Sequence, residues 1–136
     1  MYKIFDNFLK EKNLNFRAEL VDEQKLYFIN EKIDGNVISF LISVGETNVY
    51  HSVGVRLIEN FDSDKKIDFI RLANEYNLKY KNLCCVVLED NHFEVNRYYI
   101  ASEETFDAEL FIHVISSLVN LLEEGLLKEA LKIKYS

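Results

Sequence analysis

The stretch Leu83-Cys84-Cys85-Val86-Val87-Leu88, followed by Glu89-Asp90-Asn91 and Phe93-Glu94-Val95-Asn96-Arg97-Tyr98-Tyr99-Ile100, decides the fold. An unbroken apolar run this short, bounded by turn residues, reads as a buried strand. Glu89-Asp90-Asn91 turns the chain. In the segment that returns, Phe93, Val95 and Tyr99 fall on one face, and Glu94, Asn96 and Tyr98 on the other. Such alternation marks a half-buried partner strand. Just upstream, Ile67-Asp68-Phe69-Ile70-Arg71-Leu72-Ala73-Asn74-Glu75-Tyr76-Asn77 has helical spacing, with Ile67, Ile70, Ala73 or Leu72, and Tyr76 as the inward set. Lys66–Ala101 is therefore a helix–strand–turn–strand unit, and the rest of the chain is arranged on either side of it.

Upstream, residues 2–12 read as a short amphipathic helix with Ile4, Phe5, Phe8 and Leu9 on one face. From Phe16 the pattern changes to period two. Residues 16–21 are a candidate short strand and Leu26-Tyr27-Phe28-Ile29 a stronger one. Asp34-Gly35 is a hairpin signal, because both residues tolerate the positive φ of a two-residue turn. Ile38, Phe40, Ile42 and Val44 then alternate with Ser39, Leu41 and Ser43. After the turn Gly45-Glu46-Thr47-Asn48, Val49, His51, Val53, Val55 and Leu57 alternate with Tyr50, Ser52, Gly54 and Arg56. Gly54 inside a strand marks a bulge or a close approach by another part of the chain. Asp62, Ser63 or Asp64 is placed to cap the following helix.

Downstream, Ser102-Glu103-Glu104-Thr105 supplies a cap and an acidic first turn for a helix carrying Phe106, Leu110, Phe111, Val114, Ile115, Leu118, Leu121 and Leu122. Gly125 predicts a break or kink, since glycine disfavours a helix interior by about 1 kcal/mol. Leu126 to Ile133 resumes as a last helical piece. The order is α-β-β-β-α-β-β-α in a single domain spanning residues 1–136, with residues 16–21 as a candidate extra strand. Hairpin links predict an α+β fold: an antiparallel sheet of about five strands with helices packed on one face.

Composition narrows the function classes. Sixteen basic against twenty-three acidic side chains give a net charge of −7. Binding to nucleic acid needs a basic surface to neutralise phosphates, and an anionic membrane surface is opposed for the same reason, so neither is expected as a partner. The longest fully apolar run, Leu83–Leu88, falls far short of the roughly 20 residues of a membrane helix. The N-terminus lacks the apolar core of a signal peptide. Two adjacent cysteines give no disulfide framework. The expected compartment is the cytoplasm. With no proline, turns must come from Gly, Asn and Asp.

No pattern carries evident chemistry. Cys84 and Cys85 point to opposite faces of a strand and read as small buried residues. His51, His92 and His113 have no metal-ligand spacing, so neither metal nor cofactor is expected. No phosphate-binding loop, dinucleotide fingerprint or nucleophile elbow is present. Two features stand out. Asn74 and Asn77 share one helix flank at i, i+3, where capping or bonding to a neighbouring backbone group competes with ligand binding. Tyr98, Tyr50 and Leu41 fall on the less apolar parity of their strands. They form a candidate partner-binding face, because Tyr is enriched at interfaces.

The run Leu72-Ala73-Asn74-Glu75-Tyr76-Asn77, the apolar strand, the acidic turn Glu89-Asp90-Asn91, the return strand and Ser102-Glu103-Glu104 together resemble the YbjN-type family of bacterial sensory transduction regulators. The fold of that family is similar to that of type III secretion chaperones. Its helix presents two asparagines three apart, which correspond to Asn74 and Asn77. The resemblance covers roughly residues 62–124. Residues 1–60 match only in element order, and the piece after Gly125 lies outside the pattern. The resemblance implies a type III secretion chaperone-like, non-enzymatic and often dimeric module, with no catalytic residues to carry over.

The leading expectation is therefore a cytoplasmic protein-binding module, chaperone-like or regulatory, acting as a homodimer on another protein. The alternative is an acidic, immunity-type inhibitor of a basic toxin, docking by charge. A small enzyme whose site assembles only on folding is a third reading.

Overall fold

A computed structural model describes residues 1–136. The elements run α1 (Tyr2–Glu11), β1 (Arg17–Val21), β2 (Gln24–Ile33), β3 (Asn36–Gly45), β4 (Tyr50–Ile58), α2 (Lys66–Lys79), β5 (Leu83–Val87), β6 (Phe93–Ile100), α3 (Ala108–Leu121) and α4 (Leu127–Lys134). The sheet is antiparallel throughout and ordered β1-β2-β3-β4-β6-β5. The α+β class, the hairpins and the element order agree with the sequence pattern. The sheet has six strands rather than about five, because Arg17–Val21 pairs with β2 and is a true edge strand.

The turns follow from the absence of proline. All six non-glycine residues with positive φ are Asn or Asp: Asn13, Asp22, Asp34, Asn60, Asn82 and Asn91. Their short polar side chains tolerate the left-handed region. Asp34 (φ 49°) and Gly35 (φ 81°) form the two-residue β2–β3 turn, whose positive φ angles match the strand twist.

One face of the sheet is buried under the helices. Tyr27, Phe40, Ile42, Val44, His51, Val53, Val55, Phe93 and Val95 point into it. Phe5, Phe69, Phe93 and Phe111 are fully buried, and each such side chain contributes roughly 1.5–3 kcal/mol through loss of apolar surface to water. The Tyr27 hydroxyl donates to Asp6 Oδ1 at 2.7 Å, and Lys25 Nζ meets Asp6 Oδ2 at 2.7 Å, which ties α1 to β2. The Tyr76 hydroxyl donates to Glu129 Oε2 at 2.7 Å and ties α2 to α4.

Several local expectations are corrected. Helix α2 buries Phe69, Leu72, Ala73 and Tyr76, and leaves Ile67 and Ile70 exposed. The large Phe69 ring takes the inward position, stacked on Phe61 at 4.5 Å and beside Phe93 at 5.4 Å. That choice rotates the buried stripe to 69/72/73/76. None of Asp62, Ser63 and Asp64 caps the chain ahead of α2 with its side chain; the Ser63 hydroxyl accepts from Asn91 Nδ2 instead. Ser102–Thr105 closes a separate turn, with Phe106 N–H bonded to the Ser102 carbonyl. The cap of α3 is Asp107, whose carboxylate accepts from Leu110 N–H at 3.1 Å. Ile4 and Leu110, placed inward by the pattern, are exposed.

At Gly125 (φ 158°, ψ −21°) the last helix opens into a π turn over Leu122–Leu126 before α4 resumes, as the glycine predicted. By length and composition alone Ala108–Lys134 would qualify as a membrane span. Its Phe111, Ile115, Leu118, Leu121, Leu122, Leu126, Leu127 and Ala130 are instead buried within the core.

Candidate functional site

The opposite face of the sheet carries no helix. Strand parity sends Val37, Ser39 and Leu41 of β3, Tyr50, Ser52 and Gly54 of β4, and Asn96, Tyr98 and Ile100 of β6 to this side. The residues singled out from sequence are together here. Leu41 is 42%, Tyr98 43% and Tyr50 60% exposed, and Ile100 (65%) and Val37 (70%) join them. Ile100 shares the parity of Tyr98, and Val37 that of Leu41, so the same alternation marks both.

Register fixes the relief of this face. Ser52 is opposite Tyr98, Tyr50 opposite Ile100, and Gly54 lies between Leu41 on one side and Asn96 on the other. Tyr50 and Tyr98 are diagonal cross-strand neighbours, a spacing at which aromatic side chains reach each other. The small residues of β4 form a trough between Leu41 and Tyr98. Gly54 is the close approach that its place in a strand implied: a Cβ there would meet Asn96 Oδ1 at 2.0 Å. The bulge lies further on, at the register shift between Arg56 and Ile58.

The seam between β3 and β4 is short. β3 pairs with β2 from Asn36 to Gly45, and β4 pairs with β6 from Tyr50 to Ile58. Between β3 and β4, only Leu41–Gly54, Ile42–Val53 and Ser43–Ser52 are paired. On one side of this short ladder, His51 takes over. Its Nδ1 accepts from Gly45 N–H at 3.1 Å, so the proton sits on Nε2 and is donated to the Ala101 carbonyl at 3.0 Å. The ring is fully buried beside Phe106 at 5.1 Å. Burial holds the imidazole below its ordinary pKa of 6.5, against the opposing effect of the Ala101 bond. On the other side the paired ladder stops at Leu41–Gly54. Residues 36–40 and 55–58 form no strand pairs with each other, and an open cavity of about 680 Å³ is lined by residues of both segments together with Leu41, Ser52, Gly54 and Asn96 of the exposed face. Val37, Ile38, Leu57, Arg56 and Lys134 are among its lining residues.

Asn74 and Asn77 are not brought together in one site. Asn77 lies within α2, not at its end, and its amide spans one residue of the edge strand β5. Oδ1 accepts from Cys85 N–H at 2.7 Å and Nδ2 donates to the Cys85 carbonyl at 2.9 Å. Asn74 is exposed one turn earlier. Of the cysteines, Cys85 is buried and Cys84 half-buried. Burial, with Cys84 adding to it, pushes the Cys85 thiol up to about 12, far from the range of a reactive thiolate. His92 joins its turn to β4's end, with Nδ1 accepting from Asn60 N–H at 3.1 Å and Nε2 3.0 Å from Asp90 Oδ2. His113 is exposed on α3. No three His, Cys, Asp or Glu side chains are placed to hold a metal ion.

No family model and no curated protein matches this chain.

Proposed function

We propose that this chain is a non-enzymatic protein-binding module, chaperone-like or regulatory, that works as a cytoplasmic homodimer on another protein. One observation carries the reading: a sheet face without helical cover that exposes Leu41, Tyr50, Tyr98 and Ile100 side by side. Clustered exposed aromatic and aliphatic residues on a rigid sheet fit an association surface. The resemblance to the YbjN-type family, on Leu72–Asn77 and the hairpin after it, supports the same class. The charge of −7 weighs against nucleic acid and anionic membranes as partners.

The same charge favours a second reading, an immunity-type inhibitor that docks on a basic toxin. Affinity capture from the native cell, with mass spectrometry, separates the two. A salt-sensitive basic nuclease or similar enzyme would support the second reading, and a non-basic client the first. Sedimentation velocity of the wild type and of Tyr50→Ser/Tyr98→Ser tests the dimer. The expected result is a dimer that the double substitution weakens about tenfold or more in Kd, as for loss of interface aromatics. A strict monomer at high concentration, with only background proteins captured, would overturn the reading.

A further inference from the structure

The helix layer does not reach the outermost strand. Helix α1 is tied to β2 through Asp6, and β1 runs out beyond it. Ala18 and Leu20 of β1 are opposite Tyr27 and Lys25 in register and share their side of the sheet, yet both are exposed. The corner between α1 and this ledge has a third side in the α1–β1 loop, residues 13–16. An open cavity of about 410 Å³ occupies the corner, within the roughly 300–1,000 Å³ range of small-molecule sites. The small side chain of Ala18, directly opposite Tyr27, keeps its floor low.

The polar groups of this corner have donors to spare. Asp6 is the one carboxylate in the lining, and both its oxygens are taken, Oδ1 by the Tyr27 hydroxyl and Oδ2 by Lys25 Nζ. Burial, then the Asp6 bond, raises the Tyr27 pKa, so the phenol stays protonated as the donor. Lys10 lies four residues after Asp6 on α1, the usual spacing of a helical ion pair. Lys25 holds that carboxylate instead, and Lys10 pairs with no acid. An ammonium carries three N–H donors; Lys25 gives one to Asp6, and Lys10 is exposed at the rim beside the side-chain amides of Asn13 and Asn15. Two cations against one anion leave the cavity net positive in a chain of net charge −7. The remaining wall is apolar: Leu9 is buried, Phe16 half-buried and Leu14 exposed.

We infer that this corner binds a small amphipathic monocarboxylate, whose carboxylate accepts from Lys10 and Lys25 and whose compact apolar body lies on Leu9, Leu14, Phe16 and Ala18. One surplus positive charge matches a monoanion. A cation would meet two ammonium groups, and a neutral hydrocarbon would leave their donors unused. A multiply charged phosphate ester would exceed the available charge and leave the apolar wall wet. A ligand placed here touches α1, the loop after it, β1 and β2 together, and so clamps the helix to the rim of the sheet. The site lies on the opposite side of the sheet from Tyr50 and Tyr98 and is independent of the protein-binding reading.

The test is an amide-resolved NMR titration of the full-length protein with sodium octanoate, octylammonium chloride and 1-octanol. Octanoate is expected to shift amides within 9–18 and 25–27 saturably, with a Kd of about 1 mM or below. Octylammonium and octanol share its chain but lack the carboxylate, and are expected to bind about tenfold more weakly or worse, for want of charge-assisted bonds. Ala18→Leu fills the floor and leaves every charge in place. It should weaken octanoate about tenfold or more while the urea midpoint stays unchanged, as for an exposed substitution. Lys10→Gln should weaken it roughly threefold, the size of an exposed ion pair. No saturable shift at millimolar octanoate, equal affinity for octanol, or full tolerance of both substitutions would each overturn the site. Shifts centred on Tyr50 and Tyr98 would overturn it as well, and would leave the exposed-face reading standing.

Discussion

The outer edge of β5 and the open part of the β3–β4 seam pose the same physical problem in opposite ways. Both expose backbone donors and acceptors of a strand, which invite pairing with another chain. At β5 the invitation is withdrawn. Asn77 reaches from α2 and bonds both the N–H and the carbonyl of Cys85, as a neighbouring strand would. At the seam no side-chain bond of that kind bridges residues 36–40 and 55–58, and the paired ladder stops at Leu41–Gly54. The molecule therefore holds the means to close a strand edge and uses it at the rim of the sheet, while an unpaired stretch remains inside it. β1, the other rim, is short and carries Arg17 and Glu19, a further way to discourage pairing.

The largest expected effect comes from the tie that ends the seam. His51→Ala leaves Gly45 N–H and the Ala101 carbonyl without partners in a fully buried site. Two unsatisfied groups and the cavity left by the ring are expected to cost about 3–5 kcal/mol, read by urea unfolding. A loss below about 1 kcal/mol would mean that water replaces both bonds and that the seam is not held by this ring. Next comes Asn77→Ala, which should turn the β5 edge into a second open edge. The expected loss is about 1–3 kcal/mol, with concentration-dependent self-association seen by light scattering. An unchanged monomer–dimer balance would show that α2 alone screens the edge.

The third effect is a pH dependence with a fixed sign. The unfolded chain binds a proton at His51 near the ordinary value of 6.5, whereas the buried ring binds one only at lower pH. The stability from neutral His51 is therefore full above pH 6.5 and falls as the pH drops from there toward the folded-state value. Urea midpoints at neutral and mildly acidic pH should fall for the wild type more steeply than for His51→Gln. Equal slopes would place the proton elsewhere. The smallest effect is on Tyr50→Ser and Tyr98→Ser, which should change stability by no more than about 0.5 kcal/mol each, as surface substitutions do. A larger loss would make them part of the fold's own support, not of an association surface.

What the sequence disclosed and what it withheld divide along physical lines. Period-two alternation and turn chemistry are local, so the hairpins at Asp34-Gly35 and Glu89-Asp90-Asn91 were legible, as was the break at Gly125. Parity alone also assembled Leu41, Tyr50 and Tyr98 on one face. The rotation of α2 was not legible, because stripes starting at Ile67/Ile70 and at Phe69/Leu72 both lead to Ala73 and Tyr76, and contact with Phe61 and Phe93 decides in favour of Phe69. Asp107, the actual cap of α3, is masked in the sequence by Ser102-Glu103-Glu104, whose local pattern fits a cap and acidic first turn better. The partner of Asn77, eight residues away on the next strand, depends on how α2 packs. The split seam is harder still. Alternation in β3 and in β4 is the same whether the two pair over three residues or nine, so no pattern within either strand records where the ladder ends.

The measurement that bears most directly on the contrast between edge and seam is residue-resolved native-state hydrogen exchange of the free protein. The amide of Cys85 should exchange slowly, and the seam-facing amides within 36–40 and 55–58 should exchange orders of magnitude faster, although both sets lie in strands. Protection at the seam equal to that at Cys85 would show the β3–β4 ladder closed in solution and would contradict the open seam.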